Sequence, residues 1–226
     1  MSGSVREALI AATARLAEAG VPEAARDARA LMIAALGDPP GGLAVALGET
    51  LPPAARAAFD AAVAGRMARR PVAQILGRRA FWGRSFEVTA DVLDPRPETE
   101  ALVALALDGP PAARVLDLGV GSGAILVTLL AEWPAATGLG VDASAAALGV
   151  AARNAARHGV AARAAFRCGD WIEGVAERFD LVVCNPPYVA EGEIAELAPE
   201  VRDWEPRPAL TAGPTGLEAY RRIAPG

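Results

Sequence analysis

The residues best suited to chemistry in this chain are Asn185-Pro186-Pro187-Tyr188. They follow Leu181-Val182-Val183-Cys184, an apolar, β-branched run that predicts a buried strand and is too short for a helix. Neither proline can donate to a ladder and each fixes its own φ, so the strand stops there. Asn185 therefore stands at the carboxyl end of a strand, where open α/β sheets hold their ligands. The stiffened loop presents the Asn185 carboxamide, the Pro186 carbonyl and the Tyr188 ring together, as hydrogen-bond acceptors beside an aromatic wall. Such a set suits a planar amino group that has to be gripped and desolvated. Taken alone, the tetrapeptide reads equally well as a strand-ending turn, because Asn-Pro is a frequent turn dipeptide.

Other strand ends add to it. Gly119-Val120-Gly121-Ser122-Gly123 follows the predicted strand Arg114-Val115-Leu116-Asp117-Leu118. It departs from the dinucleotide fingerprint, whose third glycine falls one residue later, and by itself a tight strand-to-helix turn explains it. Asp142 ends the next predicted strand, about 20 residues on, where a carboxylate can accept both hydroxyls of a ribose. Asp170 and Trp171 close a third strand on the same edge and offer a polar contact and a ring for a purine. The alternative for Trp171 is closing the core. Three strand ends thus converge on one nucleoside site, beside the Asn185 loop.

The elements that must position these residues alternate. From Ala113 the order is strand, glycine turn, helix over Ala124 to Glu132, strand over Gly138 to Val141, helix over Ala145 to His158, strand from Ala164, and the strand before Asn185. A βαβαβ order implies a parallel, doubly wound sheet. Upstream, Ala80-Phe81-Trp82 and Phe86-Glu87-Val88 flank Gly83-Arg84-Ser85 as a hairpin. Asp94-Pro95-Arg96-Pro97-Glu98-Thr99-Glu100 then leads into an apolar helix, with Pro97 suited to its first turn and Glu98 and Glu100 to the positive end of its dipole. Residues 1 to about 70 read as helical. Ser4 and Glu7 make a capping box, Val5, Leu9, Ala12 and Leu16 share a face, and Gly20 stops the first helix. Pro22 opens a second and Pro52 or Pro53 a third.

Composition narrows the classes. The chain has 226 residues and a net charge of −5, and all 22 basic residues are arginine. An acidic balance argues against a protein that grips long nucleic acid, which shows a basic face. Cys168 and Cys184 have no Cys-x-x-Cys spacing and His158 is the single histidine, so neither a metal site nor a disulfide framework is expected. Charges at Arg6, Glu7, Arg15 and Glu18 exclude a signal peptide or membrane span at the N-terminus. A cytoplasmic protein is the default.

Asn-Pro-Pro-Tyr after such a strand resembles the signature of S-adenosylmethionine-dependent methyltransferases acting on planar, weakly nucleophilic nitrogens. The wider chain resembles the HemK/PrmC family, protein-(glutamine-N(5)) methyltransferases that modify peptide chain release factors. The likeness is carried by Pro71-Val72-Ala73-Gln74-Ile75-Leu76-Gly77, Pro95-Arg96-Pro97-Glu98-Thr99-Glu100, Leu116 to Gly123 and Asn185 to Tyr188. It implies a Rossmann-like class I methyltransferase sheet with a small N-terminal helical domain. The expected division is 1–72 as a helical domain recognising the release factor, 73–95 as a linker with a β-hairpin, and 96–226 as the methyltransferase domain. It implies S-adenosyl-L-methionine at Gly119, Val120, Gly121, Ser122, Gly123, Asp142, Asp170, Trp171 and Asn185. It implies the substrate, the glutamine of a Gly-Gly-Gln tripeptide, at Arg96, Glu98, Thr99, Asn185, Pro186, Pro187 and Tyr188. Asn185, Pro186 and Tyr188 carry the catalytic expectation: the first two accept the carboxamide N–H bonds and the ring lies flat on the amide.

Two positions depart from the family pattern, Val120 for a usual threonine and Asp94 for a usual apolar residue. Family members also continue into a fifth strand and a closing hairpin. The expectation is therefore a C-terminally truncated sheet whose fourth strand is an unpaired apolar edge. An adenine-N6 nucleic-acid methyltransferase is the alternative enzyme, with a ribosomal-protein glutamine methyltransferase closer still. A fragment that binds cofactor without turnover is the alternative outside catalysis. The expected partners are release factors, with no direct nucleic acid and no membrane, and the expected state is a monomer.

Overall fold

The computed structural model describes residues 3–224 and divides into two compact units, residues 1–76 and 77–226. The first unit is all helical. It comprises α1 (Val5–Glu18), α2 (Ala24–Ala35), the short α3 (Leu43–Ala46), α4 (Pro53–Met67) and α5 (Val72–Leu76). The Ser4 hydroxyl accepts from the Glu7 amide at 3.2 Å and the Glu7 carboxylate accepts from the Ser4 amide at 2.9 Å, closing the capping box that starts α1. Leu16, Leu31, Met32, Phe59 and Val63 fill a core of the unit's own. Inside it, Arg66 donates to the Asp27 carboxylate at 2.7 Å.

The second unit begins with a hairpin, β1 (Arg78–Phe81) and β2 (Arg84–Glu87), in which Phe81 pairs with Arg84. The turn is Trp82-Gly83, one residue earlier than Gly83-Arg84-Ser85. Both turn residues have positive φ, 49° and 67°, the handedness that matches strand twist. The Trp82 amide is held there by the Glu100 carboxylate at 2.8 Å. Residues 73–95, read above as a linker, are thus shared out. Ala73 to Leu76 belong to α5, and the hairpin is part of the second unit, with Phe81 and Phe86 in its core.

Next come α6 (Thr99–Asp108), β3 (Arg114–Leu118), α7 (Ala124–Glu132), β4 (Thr137–Asp142), α8 (Ala145–Arg157), β5 (Ala164–Cys168) and β6 (Leu181–Cys184). Then α9 (Pro199–Arg202) and α10 (Glu218–Ile223) follow. α6 starts at Thr99 rather than Pro97, because the amides of Thr99 and Glu100 turn back onto the carbonyls of Arg96 and Pro97 first. The sheet is parallel, in the order β5-β4-β3-β6. Its strands run outward from β3 to β5, and the chain then returns to the other side of β3, which makes the gap between β3 and β6 the switch point. Every residue of α7 from Ala124 to Leu130 is buried, as expected of a helix apolar all round. Leu116, Leu118, Leu139 and Val141 form a second cluster with Trp171 and Phe179.

Among the described residues β6 pairs with β3 alone, and Val182 is 52% exposed, so β6 is a sheet edge. His158 caps α8; its ring packs on Phe86 and its Nε2 donates to the Ser85 carbonyl at 3.1 Å. No helix among the described residues is long and apolar enough to cross a membrane.

Candidate active site

Register brings the chemistry to one level. Leu118 pairs with Val141 on one side and with Cys184 on the other, so Gly119, Asp142 and Asn185 leave three adjacent strands together. Asp142 in turn pairs with Cys168, which sets Gly169 and Asp170 just beyond. A cavity of about 380 Å³ opens over these ends. Ligand sites of small molecules lie in this size range and at this place in an open α/β sheet.

The glycine loop forms the floor. Gly119 and Val120 both donate to the Val141 carbonyl, at 2.9 and 3.0 Å, which bends the chain sharply off β3. Gly123 has φ +80°, and a Cβ there would meet Ala151 of α8 at 3.2 Å, so it starts α7 where only glycine fits. Asn154 is fully buried beneath the loop. Its Nδ2 donates to the Ser122 carbonyl at 2.8 Å and its Oδ1 accepts from the Glu87 amide at 2.7 Å, tying loop, α8 and hairpin together.

Asp142 lines the cavity with both oxygens already in use: Oδ2 accepts from the Gly121 amide and Oδ1 from the Ser144 amide, each at 2.9 Å. Each oxygen keeps a second lone pair. The carboxylate thus holds the loop and remains able to accept from hydroxyls. Trp171 lines the cavity beside Gly119 and also packs in the second core cluster, so one ring both closes the core and faces the cavity. Asp170 lines it too, but its carboxylate is paired with Arg222 of α10.

Asn185 lines the opposite end, and its Nδ2 donates to the Thr99 hydroxyl at 3.4 Å, leaving Oδ1 as the free acceptor. Arg96, Thr99 and Pro187 share this wall. Other expected site residues lie elsewhere. Gly123 is under the loop, Glu98 is exposed ahead of α6, and Pro186 is buried behind the wall. Tyr188 is 63% exposed and off the cavity surface, because the two prolines carry the chain outward after Asn185.

Sequence reasoning missed the far wall, Pro206, Pro208 and Ala209, and the group behind it. Glu205 is buried; it accepts from Arg96 and from the Asp94 amide, both at 3.2 Å. Burial pushes Glu205 up to about 7 against the opposing pull of Arg96. Asp94 lines the cavity, is also raised by burial, and lies 3.6 Å from Arg79. No local pattern announces the Glu205 bonds, which join residues more than a hundred positions apart. Asp117, on β3, was visible as a motif residue only. It is wholly buried, Oδ2 accepts from the Leu126 amide at 3.2 Å, and Oδ1 has no partner among the described residues. Burial raises it to about 7, with Asp142 adding to the rise.

Residues 7–77 match the PrmC N-terminal domain and residues 92–200 the methyltransferase small domain. A release factor glutamine methyltransferase of Cereibacter sphaeroides is 58% identical over 220 residues, covering 97% of this chain and 79% of that protein. The one from Caulobacter vibrioides is 44% identical and covers 100% and 79%. This chain belongs to the release factor glutamine methyltransferase family. A solved structure of the hMettl16 catalytic domain bound to an RNA hairpin shares the fold, with a TM-score of 0.54 at 19% identity over 72% of this chain and 61% of that one. The family's sheet, helical N-terminal region and S-adenosylmethionine chemistry therefore apply here, and the chain is a methyltransferase. The residues lining the cavity fit that group: glycines that allow close approach, the Asp142 carboxylate with lone pairs to spare for a ribose, and the Trp171 ring for a purine.

Proposed function

We propose that this protein transfers a methyl group to the side-chain amide nitrogen of the Gly-Gly-Gln glutamine in peptide chain release factors. The observation that carries the reading is Asn185, held by Thr99 with Oδ1 free, at the same sheet level as Gly119 and Asp142. Gly119 to Ser122, Asp142, Asp170 and Trp171 would hold S-adenosylmethionine, which when bound supplies an electrophilic methyl on a sulfonium. A carboxamide nitrogen is a poor nucleophile, because its lone pair is delocalised into the carbonyl. Asn185 Oδ1 accepts one N–H of the target amide and orients its nitrogen. Pro187 and the apolar far wall keep water from the site. The new C–N bond would form as the sulfonium C–S bond breaks, and the nitrogen would lose one proton only after it carries the methyl; with no strong base required beforehand, catalysis is mainly positioning and preorganised electrostatics.

The Pro186 carbonyl as second acceptor and the Tyr188 ring as an amide cover belong to the same proposal, and the second requires the exposed ring to be covered by the incoming peptide. Residues 1–72 are the segment we assign to recognising the body of the release factor. Release factors work at the ribosome, so the protein is read as cytoplasmic.

The test is transfer from labelled S-adenosylmethionine to a release factor, beside a copy whose Gly-Gly-Gln glutamine is alanine. Label on the intact factor alone supports the proposal. Label on both, or on adenine in DNA and neither factor, overturns it.

A further inference from the structure

Part of the cavity wall comes from outside its sheet. Pro206, Pro208 and Ala209 come from the segment after β6, which reaches the cavity with little regular structure of its own. What joins it to the loop before α6 is Glu205. One carboxylate oxygen accepts from the Arg96 guanidinium and the other from the Asp94 amide, both at 3.2 Å. The Glu205 side chain is 1% exposed and that of Arg96 35%, so one member of the pair is fully desolvated while the other faces the cavity. Asp94 and, beyond it, Arg79 complete the charged group around Glu205. A buried carboxylate that spans two loops through charge-assisted bonds holds them far more tightly than surface pairs do.

We infer that Glu205 is a positioning residue for the methyl-transfer site: it latches the 199–210 segment over the cavity and fixes the guanidinium of Arg96 at its mouth. Arg96 is the group that meets the protein substrate, a point that rests on the proposed function; the latch itself does not. The charge-assisted form of the bond to Arg96 needs Glu205 ionised, and burial pushes its carboxyl up to about 7. Ionisation of Glu205 is opposed first by burial and last by the Asp94 charge, and favoured by Arg96 and by the Asp94 amide. The latch is therefore made above pH 7 and weakens below it.

The test uses the whole protein in three forms, wild type, Glu205→Gln and Arg96→Ala, with the double variant. Amide hydrogen exchange at pH 8 reads the latch without any turnover. Loss of one charge-assisted bond should speed exchange in residues 199–210 roughly tenfold in E205Q, with β3 and α7 keeping wild-type protection. Equal protection of 199–210 in wild type and E205Q overturns the latch. Loss of protection in β3 as well would also overturn it, since the effect would then be general unfolding. With a release factor as substrate, wild-type kcat/KM should fall as pH drops through about 7, while E205Q stays low and flat. E205Q should add nothing in the R96A background; additive losses would show that Glu205 does not act through Arg96. If the wild type transfers no methyl group, the proposed function fails and the exchange data still decide the latch.

Discussion

At the scale of single residues, two side chains carry separable costs. Asp117 is wholly buried with one oxygen unpartnered, and its carboxyl is raised to about 7. The folded state therefore binds a proton that the unfolded state has already lost between about pH 4 and 7. Over that window stability falls as pH rises, and the full penalty is present above pH 7. It is on the order of 4 kcal/mol by linkage. Asp117→Asn keeps the acceptor for Leu126 and carries no charge. Thermal melts of the two proteins should coincide near pH 4 and separate steadily toward pH 8, with the variant the more stable. Asn185 is the opposite case, a residue whose value is chemical. Asn185→Ala removes the free acceptor and the bond to Thr99 without touching the ribose end of the cavity. It should lower kcat on a release factor by roughly 10²–10³. Calorimetry should find binding of S-adenosylhomocysteine within a few-fold of wild type.

At the scale of elements, the glycine loop and the two helices beside it form one assembly. Gly123 combines positive φ with a close approach to Ala151, so α7 and α8 touch at the point where α7 begins. Gly123→Ala imposes a left-handed alanine and a clash together. A loss of about 2 kcal/mol is expected, read as a lower denaturant midpoint with unchanged slope. The loop is also held from below by Asn154 and from the side by Asp142. Displacing it should weaken ligand binding more than it slows the chemical step, and kinetic analysis of G123A would show this as a raised KM for S-adenosylmethionine.

At the scale of the whole molecule, the helical unit has a core of its own and an ion pair inside it. Residues 1–76 expressed by themselves should therefore give a cooperative helical melt. Asp27→Ala removes the carboxylate that faces Arg66 in that core. It should cost about 3 kcal/mol, as breaking a buried pair does, and the melt of the isolated unit would show it directly.

The strands, the glycine loop and Asn185 were legible in the sequence because each is set by short-range constraints. Proline cannot extend a ladder, β-branched runs extend, and glycine takes positive φ. The capping box of α1 and the end of β6 fell where those rules put them. What only the tertiary structure decided was partnership. Asp142 holds the loop it was expected merely to face, Asp170 is paired with Arg222, and Tyr188 is exposed and does not line the cavity. The far wall and Glu205 could not be read at all. Their contacts close only when segments more than a hundred residues apart are packed together, and no local preference of the chain encodes a bond of that kind.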